Sequence, residues 1–162
     1  MELADRRAVR HAVVIAGIVW FALSVEIVLS NVVFPTTGDD DTLSVVLSYL
    51  GIFAALFLTG WVAARDGAGR RGLLLAGAVA GVLIGALTIG TFAVVDNVWL
   101  GVVSQQQPKV EGFAHSGAAS MRGYINSGLL AGAAFFTVVL GVFGAVLGLA
   151  GGSTRAARVG LR

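Results

Sequence analysis

The feature that most constrains this chain is the length of its apolar runs. Four blocks, residues 12–34, 43–64, 73–95 and 128–150, stay apolar with few interruptions. A helix needs about 20 such residues to cross a bilayer. The blocks are continuous rather than alternating, and longer than the roughly 9–11 residues of a barrel strand. The predicted fold is therefore an all-α membrane protein: one integral domain over residues 1–162, built as an up-down bundle of four transmembrane helices. Charged residues make up 12% of the chain, about half of what a soluble domain carries. Cysteine is absent, which removes disulfides, thiolate catalysis and Cys-type zinc sites. The first block is too long for a signal-peptide core and no A-x-A site follows it, so it is expected to stay as a permanent helix.

The blocks have clear ends. Pro35 and the polar run 36–42 close the first, and Arg65, Asp66 and Gly67 stop the second. The third starts after Arg70 and Arg71, and Gly151 and Gly152 follow the fourth. With four crossings, Arg6, Arg7, Arg10, Arg65, Arg70, Arg71, Arg155, Arg158 and Arg162 share one side of the membrane. Lys109, Arg122 and the acidic run Asp39–Asp41 fall on the other. The positive-inside rule then puts both termini in the cytoplasm of a multi-pass protein of the cytoplasmic (inner) membrane. The arginines adjoin apolar blocks instead of lining an exposed face, so no nucleic-acid partner is expected.

The segment 96–127, "DNVWLGVVSQQQPKVEGFAHSGAASMRGYINS", is the longest connection. Residues 98–103 can prolong the third helix and 117–126 can begin the fourth early. The turn is expected at Pro108, since the residue before a proline resists helix. The third and fourth helices should then project as an extended outer hairpin, with Trp99 and Tyr124 near the headgroups.

Lipid gives helices no hydrophobic reason to associate, so close backbone approach must hold them. Gly77, Gly81 and Gly85 form two successive G-x-x-x-G steps in the third block. Gly128 and Gly132, then Gly144, Gly148 and Gly152, do the same in the fourth, and Gly51, Ala55 and Thr59 share that spacing in the second. Each set lines one helix face. The same motif serves packing within a bundle and contact between copies, and both stay open.

Glu26, in "FALSVEIVLSN", is the one acid inside a span. It lies about three residues outward of its block's centre, roughly 4–5 Å. Aligning the other blocks on their centres brings Ser48 and Tyr49 to that depth, with Thr88 from the third and Thr137 just below it from the fourth. Ala22 and Ser30 share the Glu26 face. An unpaired carboxylate is expensive there, whereas a neutral Glu can donate one hydrogen bond and accept others. Glu26, Tyr49, Thr88 and Thr137 are therefore expected to form an intramembrane polar layer. It would be either a structural clamp between helices or a proton or cation site.

Other constellations are weaker. Glu111 and His115 are four apart, and Asp96 is near, but H-E-x-x-H is lacking and no metal or cofactor is expected. His11 reads as an interfacial residue. Ser116 and Ser120 lack an acid–base–nucleophile pattern, so no enzyme activity is expected. Three aspartates in a turn are too few ordered ligands for calcium.

The stretch "LTGWVAARDGAGRRGLLLAGAVAG", residues 58–81, resembles small four-helix bacterial membrane proteins of unknown function. In these a glycine-bearing second helix enters a short Gly- and Arg-rich cytoplasmic turn and a glycine-spaced third helix leaves it. The resemblance implies four helices and cytoplasmic termini, and no activity; the long segment 96–127 departs from the shortest of those proteins. The function expected from all of this is a non-enzymatic accessory or scaffold role, through glycine-lined faces that contact another copy or a larger membrane partner. The alternatives are a small proton- or cation-coupled transporter or channel using Glu26, and an immunity-type membrane protein.

Overall fold

Each apolar block is helical over nearly its whole length. The computed structural model describes residues 3–35 and 42–160. Asp39–Asp41 and Arg162 lie outside the described residues, as does the side chain of Arg158. The helices are α1 (Leu3–Val28), α2 (Thr42–Arg65), α3 (Arg70–Val98), α4 (Leu100–Val103), α5 (Gln107–Ser116) and α6 (Met121–Gly160). Four stretches, Leu3–Val33, Leu43–Arg65, Arg70–Val98 and Met121–Ala157, are long and apolar enough to cross a membrane. The described residues contain no strand.

Glycine and alanine set how the long helices meet. A methyl group added at Gly77 would strike the carbonyl oxygen of Gly144, one at Gly81 that of Leu140, and one at Gly85 the backbone of Thr137. As numbers rise along α3 they fall along α6, so this pair is antiparallel. α2 runs parallel to α6, since Tyr49 meets Phe136, Phe53 meets Phe143 and Trp61 meets Arg155, and the two cross backbone to backbone where Gly60 meets Gly148 and Gly151 meets Phe57. The hydrogen bond from Trp20 Nε1 to Thr91 Oγ1, and Asp5 beside Gly72, run α1 parallel to α3. Ala8, Ala12 and Ala16 of α1 are fully buried in one cluster with Ala76 and Ala80 of α3.

Three of the expected packing glycines make no close contact within the bundle. Gly128 and Gly132 have nothing within 4 Å of an added methyl, and Gly51 likewise. Gly51 lies off the buried face of α2, which runs through Ile52, Leu56, Thr59, Gly60 and Ala63; helical periodicity puts these on one stripe.

The arginine end is closed by short-range chemistry. Asp66 and Gly67 turn the chain from α2 to α3, and Gly67 takes φ 79°, a left-handed conformation that suits glycine. Asp66 accepts from or pairs with His11 Nδ1 at 2.6 Å, so the residue expected at an interface ties α1 to this turn. The Arg155 guanidinium stacks 4.4 Å over the Trp61 ring, joining α6 to α2.

At the far end α3 and α6 outrun their apolar blocks, held by Asn97 Nδ2 donating to Asn126 Oδ1 at 2.8 Å. The chain between them does not turn at Pro108. Pro108 opens α5 instead, where its missing N–H would have no helical partner anyway. In place of a plain projecting hairpin, α4 and α5 fold back over the end. Val103 is buried with Ile27 and Val95, and Lys109 Nζ donates to the buried Asp96 at 2.9 Å. Tyr124 is half-buried, its ring 6.1 Å from that of Phe113 on α5, while Trp99 stays exposed.

Candidate functional site

The close packing ends one turn past Gly85. Beyond it the facing residues are large: Tyr49 and Phe53 on α2, Phe92 on α3, Phe136 on α6. Tyr49 and Phe136 meet edge to face at 6.3 Å. Helices that touch backbone to backbone in the arginine half are held wider here, and a partly open cavity of about 700 Å³ results. It is bounded by the outer half of α1, the first half of α2, and Thr88, Phe92 and Phe136.

Glu26 stands in its wall. Ser44 Oγ donates to Glu26 Oε1 at 2.7 Å, the one hydrogen bond that the described residues give this carboxylate. Centre-to-centre alignment of the blocks pointed to Ser48 and Tyr49, one turn deeper. It ignores tilt and unequal helix length, and a one-turn offset lies within what it ignores. Ser48 and Tyr49 do line the same cavity.

Just past Glu26 the helix widens. Leu29–Val33 is a π-helical turn, with Phe34 N donating to Leu29 O at 2.8 Å. Ser30 Oγ donates to Glu26 O and Asn31 Nδ2 to Ile27 O, both at 2.9 Å. These side chains compete with the backbone amides for the carbonyls one turn back, which loosens the α-helical ladder. Single π turns of this kind often sit beside functional groups. Asn31 Oδ1 accepts from Gln106 Nε2 at 3.1 Å, so the cap of α4 and α5 is tied to the cavity's outer wall.

Thr88 is the deep polar group. It is 6% exposed, it lines the cavity, and its Oγ1 has no hydrogen-bond partner among the described residues. The bond between Ser24 Oγ and Thr91 Oγ1, 3.0 Å, sets the register of α1 on α3. Thr88 therefore lies about five residues, roughly 7 Å, nearer the arginine end than Glu26.

Of the expected polar layer, Glu26, Tyr49 and Thr88 share the cavity and Thr137 does not; its backbone packs on Gly85 instead. Phe136 takes the place on α6. Ser44, Asn31 and Gln106 escaped sequence reasoning, because a sequence gives position along a helix and not which way a helix face turns. Ser44 had one signal, a hydroxyl at the first turn of its block.

The cavity wall holds one acidic side chain, Glu26, and no Lys, Arg or His among its described residues. Its rim is apolar and exposed: Val25 of α1, Leu29 of the π turn, Val45 of α2, and Phe34. Elsewhere His115 Nδ1 lies 2.8 Å from the backbone oxygen of Glu111, and the Glu111 side chain takes a bond from Gln107. Asp96 turns to Lys109, so these three do not converge. Among the described residues no three His, Asp or Glu gather as a metal site.

Comparison with family models, with curated proteins and with solved structures finds no match.

Proposed function

We propose that this is a multi-pass protein of the bacterial cytoplasmic membrane, an up-down bundle of four transmembrane helices with both termini cytoplasmic. Its role is non-enzymatic: it takes a small amphipathic molecule from the bilayer into the Glu26 cavity. The observation that carries this is a half-buried carboxylate in the wall of a cavity of about 700 Å³ whose rim is apolar. Ligand sites are typically concave, about 300–1,000 Å³, mostly apolar, with a few placed polar groups. An intramembrane acid facing a cavity marks a site more often than a lipid-facing one does. The charge pattern supports the orientation, since the described arginines other than Arg122 sit at the end that carries the short α2–α3 turn.

Gly77, Gly81, Gly85, Gly144 and Gly148 are spent within the bundle, which draws support away from a scaffold role through those faces. One observation favours a second reading, association with another membrane helix: Gly128 and Gly132 leave a stretch of α6 uncovered.

Native mass spectrometry of the full chain, released gently from its own membrane, separates the two. A small-molecule adduct on the wild type is expected, lost in Ser48→Trp, where an indole fills the cavity. A defined co-purifying protein without any small-molecule adduct would favour the scaffold role instead.

A further inference from the structure

The walls of the Glu26 cavity select for charge as well as shape. We infer that its ligand is a cationic amphiphile: a protonated amine whose ammonium pairs with Glu26 and whose apolar body lies against Ile52, Phe92 and Phe136. This rests on the reading that the cavity takes a small molecule from the membrane.

Three observations carry it. The first is charge. Glu26 is the one acidic side chain on the wall, with no Lys, Arg or His beside it among the described residues. An anionic ligand would lie against this acid with no cation to offset it, and a neutral one supplies no counter-ion in a mostly apolar wall. An ammonium supplies the counter-ion and donates hydrogen bonds of the charge-assisted kind. Ser44 holds Oε1 by its hydroxyl, which fixes the acceptor in place.

The second is Thr88. A hydroxyl that is 6% exposed and without a partner is an unmet hydrogen-bonding demand on the cavity wall. It lies roughly 7 Å deeper than Glu26 by helix register. A ligand with its ammonium at Glu26 and a hydroxyl, ether or carbonyl oxygen a few bonds along its body meets both. The third is the wall between them. Tyr49, Phe92 and Phe136 line it, and aromatic faces attract cations as well as apolar groups. The apolar rim admits such a molecule sideways from hydrocarbon, where amphiphilic amines concentrate.

The test uses the full chain in nanodiscs of zwitterionic lipid, with empty nanodiscs as the partition blank. Three matched probes are titrated by calorimetry: phenoxybutylamine, phenoxybutanol and phenoxypentanoate. The amine is expected to bind the wild type about ten- to a hundredfold more tightly than the alcohol, the range of a hydrogen bond to a charged group. The carboxylate should show no saturable binding. Glu26→Gln should bring the amine down to the alcohol and leave the alcohol unchanged, while Glu26→Asp keeps the preference for amine and covers the case in which Gln fails to fold. Unchanged amine affinity in Glu26→Gln, or equal affinity for the carboxylate, overturns the proposal. If alcohol and amine bind alike and Ser48→Trp abolishes both, the cavity is a ligand site but not one for cations. If no probe binds at a site sensitive to Ser48→Trp, the underlying reading falls as well.

Discussion

At the scale of residues, Glu26 and Thr88 are opposite cases of polarity in an apolar setting. Glu26 stands out in the sequence because nothing around it is charged, and its partner Ser44 could not be found there. The two are far apart along the chain, and only the rotation of α1 against α2 brings them together. Thr88 carries no sequence signal beyond its depth. A threonine in a helix can bond the carbonyl four residues back, as Thr59 does to Ala55 at 2.8 Å, and then it is satisfied wherever it sits. What marks Thr88 is that it makes no such bond. A buried hydroxyl without a partner costs about 1–3 kcal/mol, and valine fills nearly the same space without it. Thr88→Val is therefore expected to stabilise the ligand-free protein by about 1 kcal/mol, read as a raised midpoint of thermal unfolding in detergent. The same variant should bind phenoxybutylamine several-fold more weakly. A gain in stability with a loss of binding is the signature of a residue kept for its ligand; a loss of both would make Thr88 a packing residue.

At the scale of elements, the glycine spacing was legible and the choice among glycines was not. Gly77, Gly81 and Gly128, Gly132 have the same pattern in the sequence. The first pair meets backbone, the second meets nothing. The difference is one of face: at 3.6 residues per turn Gly132 lies about 120° round α6 from Gly144, off the stripe that meets α3, and a four-residue repeat does not say which face meets a neighbour. Substitution separates them. A side chain at Gly81 must displace the backbone at Leu140, which cannot move without moving α6. Gly81→Leu is expected to cost more than the 1–3 kcal/mol or so of ordinary overpacking and to leave the chain unfolded or aggregated on size exclusion. Gly132→Ala meets no obstacle and removes a residue that is about 0.5–1 kcal/mol unfavourable in a helix. It should be neutral or slightly stabilising in the same thermal assay. The contrast also explains where the cavity lies. It begins where the glycine and alanine steps stop, so the tight packing of the arginine half gives way to the cavity in the other half.

At the scale of the whole molecule, four long apolar helices were readable because hydrocarbon thickness imposes a length that few other structures need. The ends were not. The polar ends of α1 and α6 extend well past their apolar blocks, to Leu3 and Gly160, because a helix does not stop where hydrophobicity does. The fold of 96–127 was misjudged for a related reason. Pro108 is as suited to the first turn of a helix as to a turn, and the pairing of Lys109 with Asp96, 2.9 Å apart, links residues whose proximity depends on that choice. Orientation in the membrane is the property that charge alone argues for. Arg65, Arg70 and Arg71 lie at the α2–α3 turn, and the positive-inside bias counts short connections such as this one most heavily. The absence of cysteine makes the test clean, since any introduced thiol is unique. Gly69 has φ −73° and open space around an added methyl, so Gly69→Cys fits the α2–α3 turn. Ala119→Cys is exposed between α5 and α6. A membrane-impermeant maleimide on intact cells should modify Ala119→Cys and reach Gly69→Cys only after permeabilisation. The reverse pattern would invert the protein and place the Glu26 cavity in the inner leaflet, so that its ligand would enter from the cytoplasmic side. Labelling of both from outside would mean that α3, which lies between the two positions, does not cross, and the four-span topology would fall with the orientation.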